Sequence, residues 1–262
     1  CLVAEGVTTL FGYPGGAIMP VYDALYRYSD KLNHILVRHE QGAVHAAQGF
    51  ARVSGEVGVA LATSGPGATN LVTGLADALI DSTPVVCITG QVFAHLLGTD
   101  AFQEIDVINT TNPVTKWNVQ ITEGKDIAES VAKAFFIARS GRPGPVLIDI
   151  TKNAQNELID QFEYKKCEQV RTYKPKPVLQ FPQVEDAADL INQAKKPYLL
   201  AGQGVLLSGA TDELVALSEK TGIPVACTLL GLGAFPTDHP NYVGFLGMHG
   251  NYGPNVNTNE CD

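Results

Sequence analysis

The chain has 262 residues, 45% hydrophobic and 17% charged, enough for one or two domains that each bury a core. A formal net charge of −9, with no Lys/Arg-rich run, argues against general binding to nucleic acid or anionic membranes. No apolar run reaches the roughly 18 residues of a spanning helix. The five scattered cysteines lack a CxxC pair, which argues against a zinc site or redox dithiol and fits reduced thiols in a cytoplasmic compartment.

Cys1–Gly6 reads as the last turns of a helix stopped by glycine, and Glu260-Cys261-Asp262 closes no recognisable element; both ends fit a piece of a longer protein. A short strand is expected over 7–11, then the turn Gly12-Tyr13-Pro14-Gly15-Gly16, then a helix over 17–28 with Ile18, Val21, Tyr22 and Leu25 on one face. Strand 35–37 leads into Arg38-His39-Glu40-Gln41-Gly42, followed by a helical pattern over 43–53. Glu40 thus stands where a strand ends and a helix begins, the edge at which open parallel sheets bind ligands. From position alone two readings stay open: a carboxylate that meets the edge of a planar ligand, or one that merely caps or complements the helix start.

Strand 57–62 precedes Thr63-Ser64-Gly65-Pro66-Gly67-Ala68-Thr69-Asn70 and a helix over 71–80. This glycine-bearing turn suits an anion or polar ligand edge, but it lacks a Walker lysine. Strand 84–89 ends at Gly90-Gln91, and a long polar loop over 92–112 holds Asp100-Ala101-Phe102-Gln103-Glu104. An edge strand over 116–121, an amphipathic helix over 126–139, the rigid turn Gly141-Arg142-Pro143-Gly144-Pro145 and a buried strand over 146–150 follow. Residues 151–182, charged and proline-bearing, read as an extended linker. A second α/β pattern begins with helix 184–194, strand 198–201, turn Gly202-Gln203-Gly204, helix 211–221 and strand 224–227. Glycine-rich loops at 230–236 and 247–250 come after it. Cys87 and Cys227 sit in apolar runs and read as core filling.

Six motifs, in this order, resemble the acetohydroxyacid synthase (acetolactate synthase) large-subunit family of thiamine-diphosphate enzymes. They are Phe11–Gly16, Arg38–Gln41, Thr63–Asn70, Asp100–Glu104, Gly141–Pro145 and Leu246–Gly250. The resemblance implies an α/β fold: a parallel-sheet, three-layer pyrimidine-binding domain over 1–165, a linker over 166–182, and the first half of a Rossmann-like central FAD domain over 183–262. The diphosphate-binding domain is expected to be absent, since no Gly-Asp-Gly followed by a downstream Asn occurs.

The implied reaction joins pyruvate to a second 2-ketoacid, pyruvate or 2-ketobutyrate, with loss of CO₂, in branched-chain amino-acid biosynthesis. Glu40 would hydrogen-bond the thiamine pyrimidine and favour its imino form, with Gln103 and Gly16 as further catalytic positions. Tyr13, Pro14, Gly15, Asn70 and the turn Gly65-Pro66-Gly67 would contact that cofactor, and Phe102 and Gln103 would border the substrate channel. Arg142, Gly202, Gly204, Met248 and His249 match FAD-contacting positions; from the residues alone Arg142 reads as a surface arginine and Met248 as core. Mg²⁺ is implied, with its ligands on the absent domain. A homodimer or higher homo-oligomer and a small regulatory subunit are the implied partners, with neither nucleic acid nor membrane, and the 262 residues alone are expected to be inactive. Gln203, Asn251–Asn255 and Thr151 depart from the family's usual pattern. The alternatives are a related enzyme, such as pyruvate oxidase or a catabolic acetolactate synthase, or a non-catalytic scaffold lacking the diphosphate domain.

Overall fold

Gly58–Ala62, Val85–Gln91 and Pro145–Thr151 are buried at every position, the pattern of central strands covered on both faces. In the computed structural model, which describes residues 1–262, they are the middle of a six-stranded sheet. The chain divides into two compact units, Cys1–Pro177 and Val178–Asp262.

The first unit runs β1 (Thr9–Gly12), α1 (Met19–Arg27), β2 (Asn33–Leu36), α2 (Glu40–Ser54), β3 (Gly58–Ala62), α3 (Pro66–Thr69), α4 (Val72–Ile80) and β4 (Val85–Gln91). It continues through α5 (Val107–Thr111), β5 (Trp117–Ile121), α6 (Ile127–Arg139), β6 (Pro145–Thr151) and α7 (Lys152–Asn156). Strand order is β2-β1-β3-β4-β6-β5, parallel throughout, so every strand delivers its following loop to the same edge. Alternation along β3 divides the core: Val59 and Leu61 join Leu25, Val131 and Phe135 from α1 and α6, and Ile18 just before α1, on one face. Ala60 and Ala62 join Ala43, Val44, Ala47, Leu71 and Leu75 around α2 and α4 on the other, completing three layers.

On that second face α2 and α4 approach closely because Gly74 has no side chain. A Cβ there would lie 2.1 Å from a Val44 methyl. Gly74→Ala gains helix propensity yet overpacks the contact, and a net loss of about 1–3 kcal/mol is expected. Urea unfolding followed at Trp117, the single tryptophan, measures it. Unchanged stability in Gly74→Ala, or no recovery on adding Val44→Ala, would reject the contact as the cause.

Several elements differ from the sequence expectation. Helix α2 begins at Glu40, not at 43, because the His39 ring caps it. Strand β4 runs on through Gly90 and Gln91, where a Cβ on Gly90 would meet the Ala17 carbonyl oxygen at 2.4 Å. The extra helix α3 precedes the expected α4. Much of 151–177 is not an extended tether: α7 follows β6 directly, and Tyr164, Val170 and Tyr173 pack on the core. Tyr164 donates to Glu5 Oε1 at 2.7 Å and Tyr173 to the Ser140 carbonyl at 2.7 Å, so the tyrosines anchor the segment.

The second unit comprises α8 (Phe181–Gln193), β7 (Leu199–Ala201), α9 (Gln203–Ser208), α10 (Thr211–Thr221), β8 (Val225–Cys227), β9 (Tyr242–Phe245) and α11 (Tyr252–Glu260). Its three parallel strands lie in the order β7-β8-β9 over a core of Ala201, Val225, Cys227, Ala234 and Phe235. Helix α10 falls where expected; α9, β9 and α11 were not foreseen. All five cysteines are free, with Cys87 and Cys227 buried. No helix is long and apolar enough to cross a membrane.

Candidate active site

Glu40 stands at the strand-end edge of the first sheet, in the first turn of α2. The residue before it is extended (φ −160°, ψ 136°), and its ring Nδ1 accepts from the Gln41 N–H at 3.1 Å. His39, not Glu40, therefore caps this helix by side chain, although the helix dipole still favours a carboxylate there. Glu40 is only 7% exposed. Its Oε2 accepts from Asn70 Nδ2 at 2.9 Å, and Oε1 accepts no hydrogen bond from the chain. A Cβ on Gly67 would stand 3.3 Å from Oε1, so the missing side chain leaves that oxygen uncrowded. Oε1 is not one of the buried oxygens without a partner, so it is open at this edge and presents an acceptor to a donor from outside the chain.

Three neighbouring loops meet around this carboxylate's edge. After β1, Tyr13 and Pro14 are exposed, and Gly15 packs so tightly that a Cβ would touch Thr63 at 2.5 Å. The Ala17 N–H donates to Thr63 Oγ1 at 3.3 Å. Gly16 is the opposite case: exposed, with nothing within 4 Å of a Cβ, it leaves open space. After β3, Gly65 adopts φ 57° and ψ −117°, a conformation reserved for glycine, and leads through Pro66 into α3 and Asn70. A Cβ on Gly65 would lie 2.5 Å from the Gln103 carbonyl oxygen. The turn Gly65–Gly67 thus abuts Gln103 on one side and Glu40 on the other.

Gln103 and Asp100, after β4, are themselves left-handed, with φ 57° and 58°. Glu104 shapes this loop by accepting the N–H groups of Gly98, Thr99 (3.3 Å) and Ala101 (3.0 Å). Those backbone donors, Gly98 foremost, hold the Glu104 carboxyl below its ordinary range. Phe102 is 87% exposed beside Gln103. Sequence reasoning missed Thr63, the His39 cap, and the contact of Tyr22 with His34 (3.2 Å) behind Gly12. Burial first, and the Glu40 charge second, raise the Tyr22 hydroxyl well above its ordinary value. Nothing in residue spacing signals these contacts.

The remaining expected site residues lie elsewhere. Arg142 is at the strand-start edge, where Nε donates to Ser82 Oγ (2.7 Å) and Nη2 to the carbonyls of Ile80 (2.8 Å) and Leu79 (3.3 Å), closing the end of α4. Gly202 and Gly204, in the second unit, flank the start of α9, and a Cβ on Gly204 would meet nothing within 4 Å. Met248 is 94% exposed, not core, and His249 is exposed beside it. Two of the departing residues build this turn: Asn255 bonds the Gly247 N–H and carbonyl, both at 3.0 Å, and Asn251 Oδ1 accepts from the Phe245 N–H at 3.1 Å. Thr151 is buried, donating to the Ile121 carbonyl at 3.1 Å. No group of three His, Cys, Asp or Glu side chains is placed to hold a metal ion.

Comparison with known proteins places both units of the chain in one family. The family model described as "Thiamine pyrophosphate enzyme, N-terminal TPP binding domain" matches residues 1–110, and "Thiamine pyrophosphate enzyme, central domain" matches residues 184–262. The chain is 53% identical to the probable acetolactate synthase large subunit of Methanocaldococcus jannaschii over all of its own length and 44% of that protein. It is 54% identical to the acetolactate synthase large subunit of Corynebacterium glutamicum, over 92% of this chain and 38% of the relative. It is 49% identical to the acetolactate synthase isozyme 2 large subunit of Escherichia coli K12, over 100% of this chain and 46% of the relative. The chain therefore spans less than half the length of each of these relatives. By both domain matches and this level of identity, the chain belongs to the thiamine pyrophosphate enzymes and carries sequence of their N-terminal and central domains.

Proposed function

We propose that the chain forms the pyrimidine side of a thiamine diphosphate site in an acetolactate synthase large subunit. That enzyme would join pyruvate to a second 2-ketoacid, pyruvate or 2-ketobutyrate, with loss of CO₂. The observation that carries this reading is Glu40, buried, with Oε2 held by Asn70 and Oε1 left without a donor. A ring nitrogen that shares a proton with Oε1 satisfies it, and the open space at Gly16 leaves room for a ligand on the same edge. Thiamine diphosphate supplies, when bound, an electron sink for the carbon that loses CO₂.

In this reading Glu40 shares or gives a proton at Oε1 while Asn70 keeps the carboxyl from turning away. Tyr13, Pro14, Gly15, Gly65 and Pro66 line the cofactor side, with Gly16 leaving room for the reacting group. Phe102 and Gln103 border the substrate path, Gln103 donating to the reacting oxygen. The ligand's diphosphate and Mg²⁺ would be held by residues outside this chain, on a partner copy, which makes a homodimer the smallest active unit. The relatives' printed name, large subunit, supports a small regulatory partner.

FAD is proposed for Arg142, Gly202, Gly204, Met248 and His249, each considered on its own unit. Open space at Gly204, exposure of Met248 and His249, and an Arg142 Nη1 that makes no hydrogen bond in the chain support that assignment. In the enzyme that contains this chain, pyruvate should yield acetolactate without oxygen consumption. Acetyl phosphate or peroxide as product would overturn the proposal.

A further inference from the structure

Gln91, at the end of β4, is fully buried, and the reaction proposed above assigns it no role. Its carboxamide nonetheless uses both N–H donors and one acceptor site. Nε2 donates to the Ile105 carbonyl and to Asp149 Oδ2, both at 3.1 Å, and Oε1 accepts from the Val92 N–H at 2.8 Å. Asp149, fully buried on β6, also accepts from Thr89 Oγ1 at 2.7 Å and Gln120 Nε2 at 2.9 Å. Three adjacent strands, β4, β6 and β5, thus converge on one carboxylate with no cation beside it. A buried polar network of this kind fixes one arrangement where an apolar core would tolerate several.

What this arrangement reaches outside the sheet is the Ile105 carbonyl, two residues past Gln103. Gln103 and Asp100 hold left-handed φ values of 57° and 58°, which non-glycine residues keep only where their surroundings impose them. Glu104 shapes the loop from within, by taking three N–H groups of the same loop, but does not tie it to the sheet. Gln91 makes that tie. Gly65, lacking a Cβ, then lets the Gln103 backbone close against the loop that carries Asn70.

We propose that Gln91, oriented by Asp149, is a positioning residue that clamps Ile105 and so holds Gln103 against Gly65 beside the Glu40 carboxylate. The proposal rests on the role given to Gln103 above. The test uses the enzyme that contains this chain, with Gln91→Met, which keeps length and loses the amide. Hydrogen–deuterium exchange in peptides covering 97–107 should rise at least about tenfold, with β3 and β6 peptides unchanged. The kcat/KM for pyruvate should fall as far as in Gln103→Ala, and the double variant should fall no further than Gln103→Ala alone.

Unchanged loop exchange, raised exchange with unaltered kcat/KM, or additive losses in the double variant would each overturn it. Should Gln103→Ala keep full activity, the proposal falls with the role of Gln103, a failure that the exchange data separate from failure of the clamp. If Gln91→Met does not fold, Gln91→Asn, whose shorter amide cannot span Asp149 and Ile105 together, is read in the same way.

Discussion

Glu40→Gln, made in the enzyme that contains this chain, is expected to slow exchange of the cofactor's C2 proton by about 10²- to 10⁴-fold, the range of a lost general acid–base group. Glutamine has the shape of glutamate, so its packing beside Gly67 is unchanged. Its carbonyl oxygen can still accept from Asn70, which now bonds Oε2 at 2.9 Å. The amide nitrogen then takes the place of Oε1. It can donate a hydrogen bond there but can neither accept a proton nor release one. Cofactor affinity should therefore change only a few-fold while the rate collapses, a split that a misfolded variant would not produce.

Folding itself should not suffer, because glutamine keeps the side chain's shape and its bond from Asn70, and the cap of α2 belongs to His39. Proton exchange followed by NMR in deuterated water reads the rate directly. Near-normal exchange would refute the role given to Glu40, whatever the effect on product formation.

The sequence carried the middle of the first sheet because β3, β4 and β6 each hold an apolar run (58–62, 85–88 and 145–148) beside glycine, proline or polar turns. It carried the position of Glu40 for the same reason: Leu36 ends a strand and Ala43, Val44 and Ala47 begin a helical face. The start of α2 was less legible, since a histidine ring is an uncommon cap and Gly42 breaks the apolar period. Helix α11 was illegible because Asn255, Asn257 and Asn259 leave it polar on most sides, with Pro254 as its buried residue.

In the site, spacing cannot reveal that Asn70 meets Glu40 across 30 residues, or that Gly65 exists to admit the Gln103 backbone. Gln91 was the deepest miss. A polar residue following Gly90 reads as the end of a strand, and only the pairing of β4 with β6 brings it to Asp149.

The pH dependence of stability should carry the signature of Asp149. Burial is the main cause that pushes its carboxyl from an ordinary 3.8 up to about 6; the Asp106 charge adds to it, and the Gln120, Thr89 and Gln91 donors oppose it. Between those values the folded protein keeps a proton that the unfolded chain has already released. More protons bound in the folded state means that stability falls as pH rises. The contribution is complete below about pH 4 and is lost as pH rises through about 6, with an amplitude of about 3 kcal/mol.

Asp149→Asn cannot titrate, so the stability of the native protein minus that of the variant should decline by about this amount between about pH 4 and 7. The slope is the readout, because an asparagine Nδ2 facing the Gln91 and Gln120 amides shifts the absolute value at every pH. Glu104 and Asp106, both held below their ordinary values by hydrogen bonds, act in the opposite direction: their stabilisation is lost as pH falls. Glu104, present in both proteins, cancels in the difference, and Asp106 does so apart from its coupling to Asp149, the last of the causes acting on that carboxyl. Urea unfolding at stepped pH, followed at Trp117 on the strand beside β6, reports on the unit concerned. A difference that stays constant across this range would mean that Asp149 is ionised in the fold without penalty, its three neutral donors offsetting the burial on their own.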